Sequence, residues 1–238
     1  MRIAFDLDGV LADLHGAFAA TALKMFPELD TSVLSAEEIG ASPPAPEGGG
    51  SIVAKPKTPT DLPLTSRQND AVWEALAAIP DFWETLAEIE PGTIRRLATL
   101  ADERRWEMLF ITSRPRCAGS TVQRQSQRWL QRLGFPMPSL YVVHGSRGLI
   151  AKALQIDVVV DDRPENCLDV VLESQAGAIL VWRGHKEAVP GSARRMGIAV
   201  VPTVAECLEA IIKIEQPDER GVLDRLRSLF GLRTSRRA

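Results

Sequence analysis

Five short runs of β-branched and other apolar residues, at 2–6, 107–112, 140–143, 157–161 and 178–182, alternate with segments of helical period. That alternation constrains the fold more than any other feature of the chain. Parallel strands need a crossover long enough to hold a helix, so the pattern predicts a parallel sheet with helices on both faces. The helical segments read as 93–103, 121–133, 149–155, 165–175 and 204–214. Pro164 stands at a helix start, where its missing N–H is no loss, and Gly134 stands just past a helix end. The expected class is α/β, a Rossmann-like sheet of five parallel strands.

About a hundred residues separate the first strand from the second, far more than one crossover helix uses. The excess predicts a helical cap inserted after the first strand, residues 17–87, within a core formed by 1–16 and 88–214. The cap opens with helical spacing at 14–26. It closes with Val72, Trp73, Leu76, Ile79, Phe82 and Trp83 at helical or near-helical spacing over 67–86. A Pro- and Gly-rich stretch at about 41–65 forbids a regular helix and predicts a flexible loop or extended arm. Residues 215–238 are expected to form an amphipathic, basic tail, with Val222, Leu223, Leu226, Leu229 and Phe230 on one face and Arg233, Arg236 and Arg237 at its end. It reads as a terminal helix docked on the core, or as a helix for a membrane surface or a partner.

In a parallel α/β sheet ligands bind outside the carboxyl ends of the strands, so the residues at which strands stop carry the functional information. Here those ends are polar. The first strand runs into FDLDGVLAD, with Asp6 and Asp8 two apart; the second ends in ITSRP, with Thr112, Ser113 and Arg114; the fourth ends in VVVDDRP, with Asp161 and Asp162. Four carboxylates gathered at one edge repel one another unless a cation is shared among them. A hard divalent ion with oxygen ligands, magnesium, suits a set that has neither sulfur nor an obvious group of histidines. Gly9 permits the sharp turn after Asp8.

FDLDGVLAD, an apolar strand ending in Thr, and an apolar strand ending in paired aspartates together resemble motifs one, two and four of the haloacid dehalogenase superfamily, in the order and at the strand ends that family uses. The resemblance spans residues 1–183 apart from the middle of the insert. It implies that Asp6 attacks phosphorus and forms an aspartyl-phosphate, while Asp8 protonates the leaving oxygen and then deprotonates water. It implies that Thr112 and Ser113 hold phosphate oxygens, with Arg114 beside them. It further implies that magnesium lies among Asp6, the Asp8 carbonyl and Asp162, with Asp161 supporting.

The family's third motif is a lysine upstream of the paired aspartates, and here the pattern departs. SRGLIAKALQIDVVVDD offers Arg147 at a predicted helix start and Lys152 about a turn later. Lys152 is favoured as the one lysine available, and Arg147 reaches with a longer fork. Within the superfamily the chain is most similar to the 5′(3′)-deoxyribonucleotidase-like group, through DFWETLAEIEPGTIRRL and RWLQRLG. On that likeness Phe82 and Trp83 either stack a nucleobase or pack cap against core. Trp73 reads as cap core, His144 as a structural histidine beside the site, and Arg183 lies at the same edge with its role open.

The balance of 28 basic against 31 acidic side chains, a net charge of -3, gives no single-sign field to gather a nucleic acid polymer or an anionic membrane. No apolar stretch approaches the roughly 18 residues of a membrane span. The amino terminus lacks the basic start and long apolar centre of a secretion signal, and Cys117, Cys167 and Cys207 lack disulfide or zinc spacing. These features predict a cytoplasmic protein, and the family resemblance implies a magnesium-dependent phosphatase acting on a small phosphate ester. Two alternatives stay open: a non-catalytic receiver-like module, and a degenerate family member that serves as an interaction or regulatory protein.

Overall fold

The structure, a computed structural model, describes residues 1–29, 62–185, 188–215 and 221–231. Most of the Pro- and Gly-rich stretch expected at 41–65, and Arg233, Arg236 and Arg237, lie outside the described residues. Among the described residues, β1 (Arg2–Asp6), β2 (Glu107–Thr112), β3 (Ser139–Val142), β4 (Val158–Asp161), β5 (Gly177–Val181) and β6 (Ala199–Val201) form one sheet in the order β3-β2-β1-β4-β5-β6, with all pairings parallel. The sheet therefore has six strands rather than the expected five. β6 escaped notice because it is three residues long and pairs only with β5, at Ile179 with Ala199 through Val181 with Val201.

Period-two alternation sorts the strand side chains onto two faces. Ile3, Phe5, Phe110, Val158, Val160 and Ile179 join one apolar cluster, while Ala4, Leu109, Ile111, Val159, Ala178 and Leu180 join the other. β1, β4 and β5 are buried along almost their whole length, as befits central strands of a parallel sheet covered on both faces.

Connecting helices begin and end where local chemistry directs. α3 (Thr93–Arg104) starts after Gly92, whose N–H and that of Ile94 are both taken by the Glu88 carboxylate. Thr121 caps α4 (Val122–Arg132), and Gly134 follows with φ of 102°. Pro164 is the first residue of α6 (Pro164–Glu173). α7 (Gly191–Arg195) precedes β6, and Thr203 caps α8 (Val204–Ile214).

The insert places α1 (Leu14–Met25) against α2 (Ser66–Ala78), with Phe18 and Trp73 tilted at 5.2 Å between ring centroids. Trp73 is half-buried there, in the cap-core position expected of it. Helical spacing was expected through Leu86, but α2 stops at Ala78. Pro80 forces Ile79 into an extended conformation (ψ of 121°), and the chain resumes as a short 3-10 turn, Phe82–Glu84. α9 (Val222–Leu229) docks on β5 and α8 through the fully buried Leu226. Leu226, with Val222 and Phe230 partly buried beside it, ties this helix to the core, as the docked reading expects, while Leu229 of the same expected face is exposed. Among the described residues, no helix is long and apolar enough to cross a membrane.

Candidate active site

The strand order reverses between β1 and β4: the chain steps outward from β1 to β2 and β3 on one side and from β4 to β5 and β6 on the other. That switch point opens a crevice at the carboxyl ends of the strands. Asp6 ends β1 and Asp161 ends β4 on either side of it, with Asp162 next in the chain and Thr112 at the end of β2.

Two carboxylates and a hydroxyl meet around one guanidinium. Arg147, the first residue of α5 (Arg147–Ala153), places Nη2 3.0 Å from Asp6 Oδ1 and 3.1 Å from Ser113 Oγ, and its Nε lies 3.6 Å from Asp161 Oδ2. Two local features set that reach. Ser146 caps α5 by accepting from the Gly148 and Leu149 N–H groups, and Gly148 lets the helix lie directly on α6, since a Cβ there would stand 2.1 Å from the Asp169 carbonyl. Lys152 is exposed on the last turn of the same helix. The expectation that favoured Lys152 as the cation beside the aspartates is therefore corrected: the start of α5 faces the crevice, and Arg147 occupies the position.

The two adjacent aspartates differ sharply. Asp161 is fully buried and both its oxygens accept hydrogen bonds: Oδ1 from the Arg163 backbone N–H at 2.9 Å, and both from the Asn166 side-chain amide at 3.0 and 2.9 Å. Asp162 leans against Gly9, whose φ is 80° and where a Cβ would meet Asp162 Oδ2 at 2.1 Å. Its Oδ1 is buried without a hydrogen-bond partner.

Burial, then the neighbouring charge of Asp161, pushes the Asp6 carboxyl well above the usual carboxylate range, although Arg147 pulls the other way. The same two causes push Asp162 up to about 8. Burial raises Asp161 as well, against Arg147. For Arg147, burial alone would favour the neutral form, and Asp6 and Asp161 more than reverse it.

Asp8 has a different environment. Arg114 grips it with a bidentate fork, Nε 3.0 and 2.9 Å from Oδ1 and Oδ2 and Nη2 2.7 Å from Oδ1, while Thr112 Oγ donates to Oδ2 at 3.3 Å. Arg114 was expected to bind substrate. It is instead fully buried, with Nη1 on Ser126 Oγ at 2.8 Å and the guanidinium over the rings of Trp83 and Trp129. Of the two readings of Phe82 and Trp83, stacking on a nucleobase or packing cap against core, the structure agrees with packing. The two residues are 3% and 1% exposed, packed edge to face on each other, so no ring face is open to a base.

The turn after β1 is closed by its own backbone, with the Leu11 and Ala12 N–H groups both donating to the Leu7 carbonyl. Arg183, whose role the sequence left open, braces it: Nη1 donates to the Gly9 carbonyl at 2.5 Å, and Nη2 to Val10 at 3.2 Å and to Glu90 at 2.7 Å. Glu90 in turn accepts from the Val204 and Ala205 N–H groups at the start of α8. The strand-end rule pointed to Arg183, which lies two residues beyond β5. Nothing in the sequence pointed to Glu90, whose partners on α8 lie more than a hundred positions away. His15 was also missed; it is buried near Asp8 and Arg183, and burial lowers its pKa although Asp13 opposes the shift. His144 is exposed on the loop after β3.

A scan of protein-family models finds no match to the chain, and a search of curated proteins finds none either. Solved structures match in fold. A HAD family hydrolase from Deinococcus radiodurans R1, solved with bound phosphate and sodium, gives a TM-score of 0.52 at 16% identity over 89% of this chain and 94% of that one. A hydrolase from Pseudomonas syringae gives 0.50 at 19% identity, over 92% and 100%. A haloacid dehalogenase-like hydrolase from Streptococcus pneumoniae gives 0.50 at 13% identity, over 88% and 97%. The fold is that of the haloacid dehalogenase-type hydrolases. The expected likeness to the 5′(3′)-deoxyribonucleotidase-like group finds no support in these structures.

Proposed function

We propose that this protein is a magnesium-dependent hydrolase of small phosphate monoesters that works through an aspartyl-phosphate on Asp6. The observation that carries the reading is a buried carboxylate oxygen without a hydrogen-bond partner, Asp162 Oδ1, next to a cluster in which Arg147 is shared by Asp6 and Asp161. A buried carboxylate oxygen that lacks a donor suits a cation, and a buried guanidinium in the same cluster suits an anion. The Deinococcus hydrolase of the same fold, with its bound phosphate and sodium, supports the same pairing.

Asp6, Asp162 and the Asp8 carbonyl would hold the magnesium. Among the described residues, no three His, Cys, Asp or Glu side chains form a ready metal cage. A magnesium ion keeps several waters and takes one or two carboxylates plus a substrate phosphate. Bound there, it would neutralise phosphoryl charge and polarise a phosphoryl oxygen. Asp161, with both oxygens already bonded, supports Arg147 rather than the metal.

The residues divide the chemistry. An Asp6 oxygen forms a bond to phosphorus as the ester P–O bond breaks, and the departing alkoxide takes a proton from Asp8. A water then gives its proton to Asp8 as its oxygen attacks the phosphorus of the aspartyl-phosphate, which releases Asp6 and inorganic phosphate. Arg147 balances the charge that accumulates on Asp6 and the phosphoryl group, and Ser113, which donates to the Val143 carbonyl and accepts from Arg147, holds that guanidinium in place. The substrate is a phosphomonoester bound through its phosphate. A nucleoside monophosphate belongs to that class, but Phe82 and Trp83 do not hold its base.

Turnover of para-nitrophenyl phosphate tests the proposal. Magnesium should support repeated product release, excess chelator should abolish it, and Asp6→Asn should lower it by about a thousandfold or more. Activity that survives in Asp6→Asn returns the protein to the non-catalytic readings. A panel of nucleoside monophosphates, sugar phosphates and phosphoglycolate then defines the ester.

A further inference from the structure

The geometry points to Arg114 as the positioning residue of the acid/base carboxylate: its buried fork fixes the plane in which Asp8 meets the leaving oxygen. This rests on the phosphatase reading of Asp6 and Asp8 given above, and it adds a residue and a mechanical device to it.

Every nitrogen of the Arg114 guanidinium is committed. Nε and Nη2 span both Asp8 oxygens, and Nη1 donates to Ser126, a fully buried residue of α4. Arg114 has no exposed side-chain surface, and its plane lies 4.8 Å from the Trp83 ring centroid and 5.6 Å from that of Trp129. The two indoles are themselves pinned, Trp83 Nε1 to the Pro115 carbonyl at 3.1 Å and Trp129 Nε1 to the Leu86 carbonyl at 2.7 Å.

The clamp therefore draws on the turn that follows α2, the β2 end and α4 at once. Asp8 keeps 17% of its side chain exposed, so the fork grips the carboxylate without covering it.

Two other roles are excluded by this arrangement. Arg114 does not bind the substrate phosphate, because its donors face Asp8 and Ser126 and its faces are covered. Nor is it the acid, because a guanidinium does not give up its proton in a protein. What a bidentate fork supplies is orientation: a carboxylate held by one point charge rotates, whereas one held by two parallel N–H donors does not. Thr112, donating to Asp8 Oδ2 from the same strand end, adds a third point.

Orientation of a general acid has a signature that mere scaffolding lacks. Protonation of the leaving oxygen matters more as that oxygen becomes more basic, so a misaligned Asp8 should penalise poor leaving groups and spare good ones. kcat/KM is measured for wild type, Arg114→Met and Arg114→Lys with two esters of similar shape, para-nitrophenyl phosphate and phenyl phosphate. The inhibition constant of inorganic phosphate is measured alongside.

We expect Arg114→Met to lower kcat/KM for phenyl phosphate at least about tenfold more than for the nitrophenyl ester. Arg114→Lys should restore little of it, and the phosphate inhibition constant should stay within about twofold. Ser126→Ala, which releases one anchor of the same guanidinium, should shift the ratio in the same direction by less, and it serves if Arg114→Met does not fold.

Equal losses on the two esters overturn the proposal in favour of a scaffold. A phosphate inhibition constant weakened about tenfold overturns it in favour of a phosphate contact. Failure of the phosphatase reading is separate, because it appears as wild type and Asp6→Asn having the same activity on both esters.

Discussion

The two edges of the sheet handle charge in opposite ways. At the amino edge every named charge is matched. The Arg2 backbone N–H donates to Asp157, its side chain pairs with Glu107 at 2.6 Å and donates to the Leu154 carbonyl, and Glu215 takes both Arg104 and the Trp106 indole N–H. A cavity of about 550 Å³ opens there beside Trp106, Phe135 and Tyr141, but the charges around it are already satisfied. At the carboxyl edge Asp6, Asp161 and Asp162 crowd together, Arg147 pairs with two of them, and Asp162 Oδ1 has no donor. Paired charge holds strands in place, whereas surplus buried charge costs stability and is retained where a ligand relieves it.

Arg147 offers the largest break in that contrast. Arg147→Met leaves Asp6 and Asp161 without their shared guanidinium, and kcat/KM for para-nitrophenyl phosphate should fall about a hundredfold to a thousandfold. Arg147→Lys should recover part of the loss, since a point charge near Asp6 does not also span Ser113 and Asp161. A thermal melt run alongside separates chemistry from folding: the Met variant should melt lower, and the Lys variant close to wild type.

Asp162→Asn sharpens it from the other side. Replacing an unpartnered buried carboxylate by an amide removes a cost of about 1–3 kcal/mol, so the metal-free variant should be more stable than wild type. For a chain of this length each kcal/mol is about 2–4 °C in melting temperature. Magnesium should raise the wild-type melting temperature and leave that of the variant unchanged. A variant that melts lower than wild type without metal would show that Asp162 serves the fold and not a ligand.

Arg183→Met tests the brace behind the crevice. The Gly9 and Val10 carbonyls lose their donor while the nucleophile, the clamp on Asp8 and the Arg147 cluster stay in place. Turnover should fall by about tenfold and stability by about 1–2 kcal/mol, read from kcat and from chemical denaturation. Loss of stability with unchanged kcat would reduce Arg183 to a tie between the loop and Glu90.

The carboxyl edge was legible in the sequence because its chemistry is local. Asp6 and Asp8 follow one strand, Asp161 and Asp162 close another, and β-branched runs set both strands apart from their surroundings. Helix ends were legible for the same reason, at Pro164, Thr121 and Gly134. What the sequence concealed depends on contacts between distant segments. Lys152 and Arg147 sit on one short helix, and which of them faces Asp6 depends on how closely Gly148 lets that helix approach α6. Arg114, Phe82 and Trp83 read as substrate contacts because arginine and aromatics near a site suit that role. Their burial follows from α4 and the turn after α2 closing over the end of β2. β6 was too short to stand out, and its existence depends on the neighbouring strand.

The smallest effect belongs to the amino edge. Glu107 is 67% exposed and Arg2 35%, so their ion pair gains little in water of high dielectric and loses side-chain freedom. Glu107→Gln should therefore cost less than about 1 kcal/mol and leave kcat untouched, with the difference shrinking further in added salt. A melt and a steady-state assay on one preparation read both quantities. If that substitution alters turnover at the opposite edge, the two edges are coupled through β1 and β2, which carry both Arg2 and Asp6, Glu107 and Thr112. Charge pairing at the amino edge would then belong to the proposed site, because a small shift in register there moves Asp6 and the Asp8 clamp together.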